Sequence, residues 1–468
     1  MYYNSLLLPD LLQMIQEKDE NGLHEFCEVF HPANCAEVLE SLSPEDFWYV
    51  MRCSDKQSRM NAFSFLDLAK QSEFMAFEQD DQTVQVSILE GMAPDDRVDL
   101  LSRLDNDRGR QLVSRLSETE RNTVRELLAY EEEREDSAGA IMTTEFAWLP
   151  QNLTAEEAIA RLRRQAHDRE TIYYIFILEE ERRLRGLVSF RQLLLADPSA
   201  KMVDIMQRDV VTVRIEDDRE FVASEIAKYD LLAIPVVDNQ YRLVGIVTHD
   251  DIIDVLQEEA TEDAHRQGAV APLEDSYLTT SILTLVYKRG VWLILLLVAA
   301  AFTVNVLKRF EYEMVTQLKH GWLLWFLPLV IASGGNTGSQ SATLVIRLLT
   351  LEDMRRNETL KLVMREFMLA VLLGSGLGLL TFLIARFFWM DEPTVRAVGE
   401  ASLMMKSSVV GITVFLVVIM GSVTGATLPL MFKKLGMDPA LMSNPLISAL
   451  VDFFGLIVYY AVASTMLT

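Results

Sequence analysis

The chain has 468 residues, enough for about three domains, and half are hydrophobic, yet its formal net charge is −25. Residues 1–280 carry a net −29 and residues 281–468 a net +4, so an acidic soluble part precedes an apolar one. No Lys/Arg stripe offsets that repulsion, which excludes nucleic acid as a partner. Cys27, Cys35 and Cys53 are too few and too irregularly spaced for a disulfide framework or a zinc cluster, and they read as structural thiols of a reducing compartment.

Met1–Asp10 lacks the basic start and long apolar core of a signal peptide, so the acidic part is expected to stay in the cytoplasm. Leu6–Tyr130 shows no strand alternation and reads as short amphipathic helices. Their starts stand at Ser43-Pro-Glu-Asp46, Ala93-Pro-Asp-Asp96 and Ser117-Glu-Thr-Glu120, where an N-cap or a proline precedes acids of the first turn. Such helices stack into an all-α superhelical N-terminal domain over 1–130.

Residues 137–260 contain an internal repeat of about 60 residues per copy. Ile141-Met142 recurs as Ile205-Met206, and the helical runs Thr154–Leu162 and Asp217–Ala227 follow. Each copy then has a strand (Tyr173–Leu178, Ala233–Val237), a second strand (Leu184–Ser189, Leu243–Thr248) and a closing helix (Arg191–Ala196, Asp250–Gln257). Two βαββα units would pack as a pseudo-symmetric pair. Leu243-Val-Gly-Ile-Val-Thr-His-Asp-Asp251 matches the cystathionine-β-synthase (CBS) module, so the pair resembles α+β sensors that bind nucleotides or ions without catalysis.

Carboxylates crowd three places: Asp95, Asp96 and Asp99 at one helix start; Asp218, Glu220 and Asp230 around a helix of the second copy; and Asp250, Asp251, Asp254, Glu258, Glu259, Glu262 and Asp263 along the last helix and beyond. One reading is a solvated face. The other is that like charges this dense are relieved by divalent counter-ions.

Five apolar stretches follow, near Val291–Leu307, Trp322–Ile346, Phe367–Trp389, Ser407–Phe432 and Pro445–Leu467, each long enough for a membrane helix. They form a polytopic membrane domain over 286–468. Nine basic residues flank the spans on the side shared with the acidic part and six on the other, which puts the N-terminus inside and Thr468 outside. Ser333–Ser341, all small or polar residues, interrupts the second span. It is either backbone lining a watery cavity or a small-residue packing seam. The fifth carries Asp452, the only carboxylate expected well inside a span, and Asn444, Ser448 and Asp452 share one helical face at i, i+4, i+8. That oxygen-rich stripe suits a hard cation, bare or hydrated.

Three motifs then resemble the MgtE family of magnesium channels and transporters: Gly334-Gly-Asn-Thr-Gly-Ser-Gln-Ser-Ala-Thr343, Asp438-Pro-Ala-Leu-Met-Ser-Asn-Pro-Leu446 leading through Asp452 to Gly455, and Glu259-Ala-Thr-Glu-Asp-Ala-His265. The resemblance spans nearly the whole chain. It implies a homodimer with one pore on the two-fold axis, a connecting plug helix over 261–285, and a pore aspartate at Asp452 with Asn444 and Ser448 beside it. It also implies regulatory Mg²⁺ sites on Asp218, Glu220, Asp230, Asp251, Asp254, Glu259, Glu262 and Asp263, with Asp438 nearby and Asp95, Asp96 and Asp99 as N-terminal candidates. Family members that bind ATP use the CBS pair. Tyr174, Arg191 and Thr248 are the candidates here, whereas Gln192 replaces an expected ribose-binding acid and Leu231 an aromatic.

The expected function is magnesium uptake across the cytoplasmic membrane, closed by cytosolic Mg²⁺. Alternatives are transport of another divalent cation, Co²⁺ or Mn²⁺, or a non-conducting ion or nucleotide sensor. No nucleophile–base pair or phosphate-binding glycine loop is present and the six histidines are scattered, so enzymatic activity is not expected.

Overall fold

The computed structural model describes residues 2–77, 82–134, 136–166, 169–273, 277–278, 280–313, 320–351, 356–389 and 403–467. It divides into two compact units, Met1–Gln257 and Glu258–Thr468. Lys319, Arg355 and Arg396, three of the bases flanking the expected spans, lie outside the described residues.

The first unit begins with helices α1 (Tyr2–Glu17), α2 (Glu20–Val29), α3 (Pro32–Leu39), α4 (Pro44–Cys53), α5 (Lys56–Ser64), α6 (Leu68–Ala76), α7 (Thr83–Gly91), α8 (Pro94–Arg103), α9 (Asn106–Arg115) and α10 (Glu118–Glu133). The Ser43 and Ser117 hydroxyls accept from the Asp46 and Glu120 amides, so the predicted caps form. Ala93 offers no such acceptor, and α8 starts on Pro94 alone. Phe47 and Phe74 stack at 3.9 Å in the core, where Trp48 Nε1 donates to the Phe74 carbonyl at 2.9 Å. Cys27 and Cys35 are buried free thiols.

The repeat then folds as read. Its first copy comprises β1 (Phe146–Pro150), α11 (Ala155–Gln165), β2 (Thr171–Leu178), β3 (Leu184–Ser189) and α12 (Phe190–Leu195). After α13 (Met202–Ile205), the second comprises β4 (Val213–Arg214), α14 (Arg219–Tyr229), β5 (Ala233–Val237), β6 (Leu243–Thr248) and α15 (His249–Gln267). Each sheet has three strands, a parallel pair joined across a helix and then an antiparallel pair. The copies interlock through their glycines. A Cβ on Gly186 would lie 2.7 Å from the Gln207 carbonyl and 2.8 Å from Met206 Sδ; one on Gly245 would lie 2.7 Å from Met142 Sδ and 2.8 Å from the Thr143 carbonyl. The methionine of each Ile-Met pair thus packs on the strand glycine of the other copy. Val124 and Leu127 of α10 share one buried cluster with Val222, Ile226 and Ile252, so the helical domain and the second copy have a common core.

The second unit holds α16 (Ile282–Phe310), α17 (Leu323–Leu351), α18 (Arg356–Ile384), α19 (Leu403–Lys434) and α20 (Asn444–Leu467). By length and composition four of these can cross a membrane, all but α17. At 29 residues α17 is long enough, but its polar run removes it from that class. The run does not interrupt the helix: α17 is continuous through Ser333–Ser341, because hydroxyls bond back one turn, Ser333 to the Leu329 carbonyl and Thr337 to the Ser333 carbonyl, both at 2.7 Å. The α19 helix is central, packed on α17, α18 and α20. Nor is there one helix over 261–285. The closing helix of the repeat continues as α15 to Gln267, Ala269 takes φ +57°, and α16 starts at an Ser281 N-cap. Residues 274–276 and 279 of that expected helix lie outside the described residues.

Candidate ion pathway and carboxylate clusters

Two stripes face one another across α17 and α20. Gly335, Ser339 and Thr343 repeat every four residues on α17 and meet Asn444, Ser448 and Asp452 of α20. Ser339 Oγ lies 3.1 Å from Ser448 Oγ and 3.3 Å from the Asn444 carbonyl; Thr343 Oγ1 lies 3.3 Å from Asn444 Oδ1; Ser448 Oγ donates to the Gly335 carbonyl at 3.4 Å. A Cβ built on Gly335 would sit 3.2 Å from both Asp452 Oδ1 and Ser448 Oγ, closer than side chains ordinarily pack, so glycine is what lets the carboxylate and the hydroxyl lie against the α17 backbone. Asp452 is half-buried, and among the described residues no charged group stands beside it.

The other face of the same run packs backbone to backbone on α19. A Cβ on Gly421 would come 2.5 Å from the Gly334 carbonyl, and one on Gly425 2.1 Å from the Gly338 carbonyl. The reading as a small-residue seam holds toward α19, while Gly335, Ser339 and Thr343 of the same run form a polar stripe toward α20.

In the second unit, Asp438 caps the turn Pro439–Leu441 by accepting from the Ala440 amide at 2.7 Å. Arg266 pairs with both Asp438 and Glu262. Burial, then Asp438 and Glu259, raises the Asp263 carboxyl to about 6, against the opposing pull of Arg266 and Arg347.

In the first unit, α8 and α15 bring Asp95, Asp96, Asp250, Asp251 and Asp254 into one electrostatic cluster. Asp95 is 8% exposed, its Oδ1 has no hydrogen-bond partner, and burial followed by Asp251, Asp96 and Glu170 raises its carboxyl well above the usual range. Loss of hydration, then Asp250 and Asp254, raises Asp96. Asp251 rises to about 6 through burial, although it accepts hydrogen bonds from the Thr248 amide, at 3.2 Å, and from the Thr248 hydroxyl. An orphaned, buried acidic oxygen amid like charges fits a bound proton or the water shell of a cation. Among the described residues no three His, Cys, Asp or Glu side chains are arranged to hold a metal ion.

The remaining acids are dispersed. Asp218 N-caps α14, accepting from the Glu220 amide at 3.0 Å, and pairs with Arg134 at 3.5 Å. Asp230 closes α14 in the left-handed region, φ +52°. Asp99 and Glu258 are exposed. Of the nucleotide candidates, Tyr174 is paired with Ser189 in the first sheet, Arg191 is exposed, and Thr248 is bonded to Asp251. Gln192, in the acid's place, forms a capping box with Ser189.

Three carboxylates escaped the sequence reading. Glu145 and Glu170, joined by a 2.9 Å bond from the Glu170 amide to the Glu145 carbonyl, border the first cluster. Glu170 is raised to about 7 by lost hydration, Asp251 and Asp96. Neither belongs to an acidic run, so only the fold brings them in. Glu366 stands just before the expected third stretch, Phe367–Trp389; α18 starts at Arg356, which puts it inside that helix, 8% exposed.

Comparisons with known proteins agree with this organisation. Family models match the MgtE intracellular N domain at 30–133, CBS domains at 138–199 and 202–258, and the MgtE divalent cation transporter domain at 327–462. The magnesium transporter MgtE of Thermus thermophilus is 36% identical over 98% of both chains, and that of Bacillus subtilis 32% identical over 91% of this chain and 92% of the other. The solved soluble part of a magnesium transporter matches 55% of this chain and 99% of its own, with 32% identity and a TM-score of 0.51. The cytosolic domain of the Mg²⁺ channel MgtE in complex with ATP matches 53% of this chain and all of its own, with 36% identity and a TM-score of 0.50. The chain belongs to the MgtE family of divalent cation transporters.

Proposed function

We propose that this protein is a homodimeric Mg²⁺ channel of the cytoplasmic membrane, with its ion route along the α17–α20 seam. The observation that carries the reading is Asp452: a carboxylate inside an apolar helix, set close against Gly335 of the polar α17 stripe with no basic partner among the described residues. Lipid penalises such a group, and a passing cation is its natural counter-charge. Mg²⁺ sheds water reluctantly, so the route holds it through its waters, with Ser448 and Asn444 accepting from that shell. All five helices cross the membrane in this reading, α17 protected from lipid by a second copy: Asn336, Gln340 and Thr343 stand exposed on a single chain. The first unit is cytoplasmic and Thr468 lies outside. The names of the relatives above favour Mg²⁺.

Cytosolic Mg²⁺ closes the channel by bridging carboxylates. Asp95, Asp96, Asp250, Asp251 and Asp254 hold one set of hydrated ions; Glu259, Glu262, Asp263 and Asp438 hold another at the membrane edge. Asp99, Asp218, Glu220, Asp230 and Glu258 draw ions to the surrounding surface. ATP binds at Tyr174, Arg191 and Thr248 of the repeat, weakened by Gln192 and Leu231. The segment 261–285 acts as the plug. Reconstituting the chain in liposomes and measuring Mg²⁺ flux while cytosolic-face Mg²⁺ is titrated tests the whole reading. Flux that shuts off as Mg²⁺ rises supports pore and gate together; flux that never shuts off removes the gate, and no flux removes the pore.

A further inference from the structure

Glu366 occupies a place that the ion route does not use. It lies inside α18, in the candidate span Glu358–Phe387, and is 8% exposed. Its Oε2 accepts a hydrogen bond from Ser341 Oγ of α17 at 2.8 Å, and Ser341 Oγ lies 3.2 Å from Ser422 Oγ of α19. Ser341 and Ser422 are themselves 5% and 2% exposed. One acid thus ties three helices at a single buried point.

The direction of that tie gives it a consequence. Successive helical residues turn about 100°, so Ser341 projects roughly 200° around α17 from Ser339 and Thr343, its neighbours two residues away on either side. Those two bond to Ser448 and Asn444 across the seam, while Ser341 is held from behind. A buried carboxylate is an expensive way to fill space, and a serine pair alone would join α17 to α19. What the acid adds is a strong, directional acceptor that fixes the rotation of α17.

Resting on the reading of the α17–α20 seam as the ion route, we propose that Glu366 is a positioning residue: through Ser341 it sets the distance between the Gly335–Ser339–Thr343 stripe and the Asn444–Ser448–Asp452 stripe, and so the size of hydrated ion that passes. Glu366 touches no ion.

The test is Mg²⁺ and Ca²⁺ flux through the full chain in liposomes, for the wild type and for Glu366→Leu, Glu366→Gln and Ser341→Ala. Glu366→Leu and Ser341→Ala should each lower the Mg²⁺/Ca²⁺ flux ratio about tenfold, the scale of one buried hydrogen bond lost. Glu366→Gln, whose amide oxygen still accepts from Ser341, should stay within about twofold of the wild type. The double variant Ser341→Ala/Glu366→Leu should be no worse than the poorer single one. Should Glu366→Leu fail to elute as the wild type does, Ser341→Ala and Glu366→Gln carry the comparison. An unchanged ratio in Ser341→Ala overturns the proposal, and so does a Glu366→Gln channel that loses selectivity while Ser341→Ala keeps it. A wild type without Mg²⁺ flux would instead overturn the ion route itself.

Discussion

Ser339 Oγ and Ser448 Oγ approach to 3.1 Å across two helices that are otherwise apolar on most faces. The contact is the midpoint of paired stripes with the same four-residue repeat, Gly335–Ser339–Thr343 and Asn444–Ser448–Asp452. Gly335 stands opposite both Ser448 and Asp452, and its missing side chain lets the two helices approach closely there. Gly335→Ala would put a methyl group 3.2 Å from Asp452 Oδ1 and Ser448 Oγ. Mg²⁺ flux is expected to fall about tenfold, with the melting temperature shifted by only a few degrees. Parallel flux and thermal-unfolding measurements in detergent check it; an unimpaired flux would place the ion elsewhere.

Gly425 of α19 packs on the opposite face of α17, and the consequence there is stability. A Cβ at this position would come 2.1 Å from the Gly338 carbonyl, a backbone atom that cannot swing aside. Gly425→Val should therefore separate α17 from α19 and cost about 3 kcal/mol or more, at the upper end for overpacking. Loss of the native elution peak, or a lower melting temperature, is the expected readout. A variant as stable as the wild type would mean that α17 and α19 do not touch there.

The acidic cluster gives the first unit a definite pH dependence. Asp251 and Glu170 have folded-state values of about 6 and about 7, above their ordinary 3.8 and 4.5, and Asp95 and Asp96 are raised as well. The folded state therefore binds more protons than the unfolded one between those limits. Stability from these groups is fully present below the ordinary carboxylate range and is lost as pH rises through about 6 to 7. Without divalent ions, the melting temperature should fall between about pH 5 and pH 8. Mg²⁺ should restore more of it at the alkaline end, where the carboxylates are free to bind. A Mg²⁺ effect of equal size at both ends would separate ion binding from this cluster.

Arg266 is a tethered cation on carboxylates expected to bind Mg²⁺, paired with Asp438 and Glu262. Arg266→Gln removes the competitor, so the channel should close at a Mg²⁺ concentration about tenfold lower, the scale of a charge-assisted hydrogen bond. Flux at stepped cytosolic-face Mg²⁺ measures the shift. Closure at an unchanged or higher concentration would mean that Arg266 supports the closed state rather than competing for it.

Much of this was legible because local signals and tertiary packing agree. Ser43 and Ser117 cap the helices that their spacing predicts, and the Ile-Met repeat folds twice into the same three-stranded arrangement. The Asn444–Ser448–Asp452 stripe needed only helical periodicity. The misses have physical causes. The Ser333–Ser341 run looks like a break by composition, yet small residues let helices approach and hydroxyls satisfy carbonyls one turn back. Ala269, at positive φ, separates two helices between Gly268 and Pro272, both signals of a helix end that the resemblance to a single plug helix passes over. Glu170 and Glu145 are isolated acids in sequence, so nothing short of the fold brings them to Asp251 and Asp96. Glu366 sits at the edge of a charged stretch and is assigned to a loop unless the start of α18 is known.

Whether Mg²⁺ passes Asp452 is decided by Mg²⁺ flux in liposomes for the wild type against Asp452→Ala and Asp452→Asn, each first shown to keep the wild-type elution volume. Mg²⁺ flux should vanish in Asp452→Ala and drop at least tenfold in Asp452→Asn, which keeps the shape but not the charge. Mg²⁺ flux at the wild-type rate in Asp452→Ala would mean that Mg²⁺ does not pass Asp452.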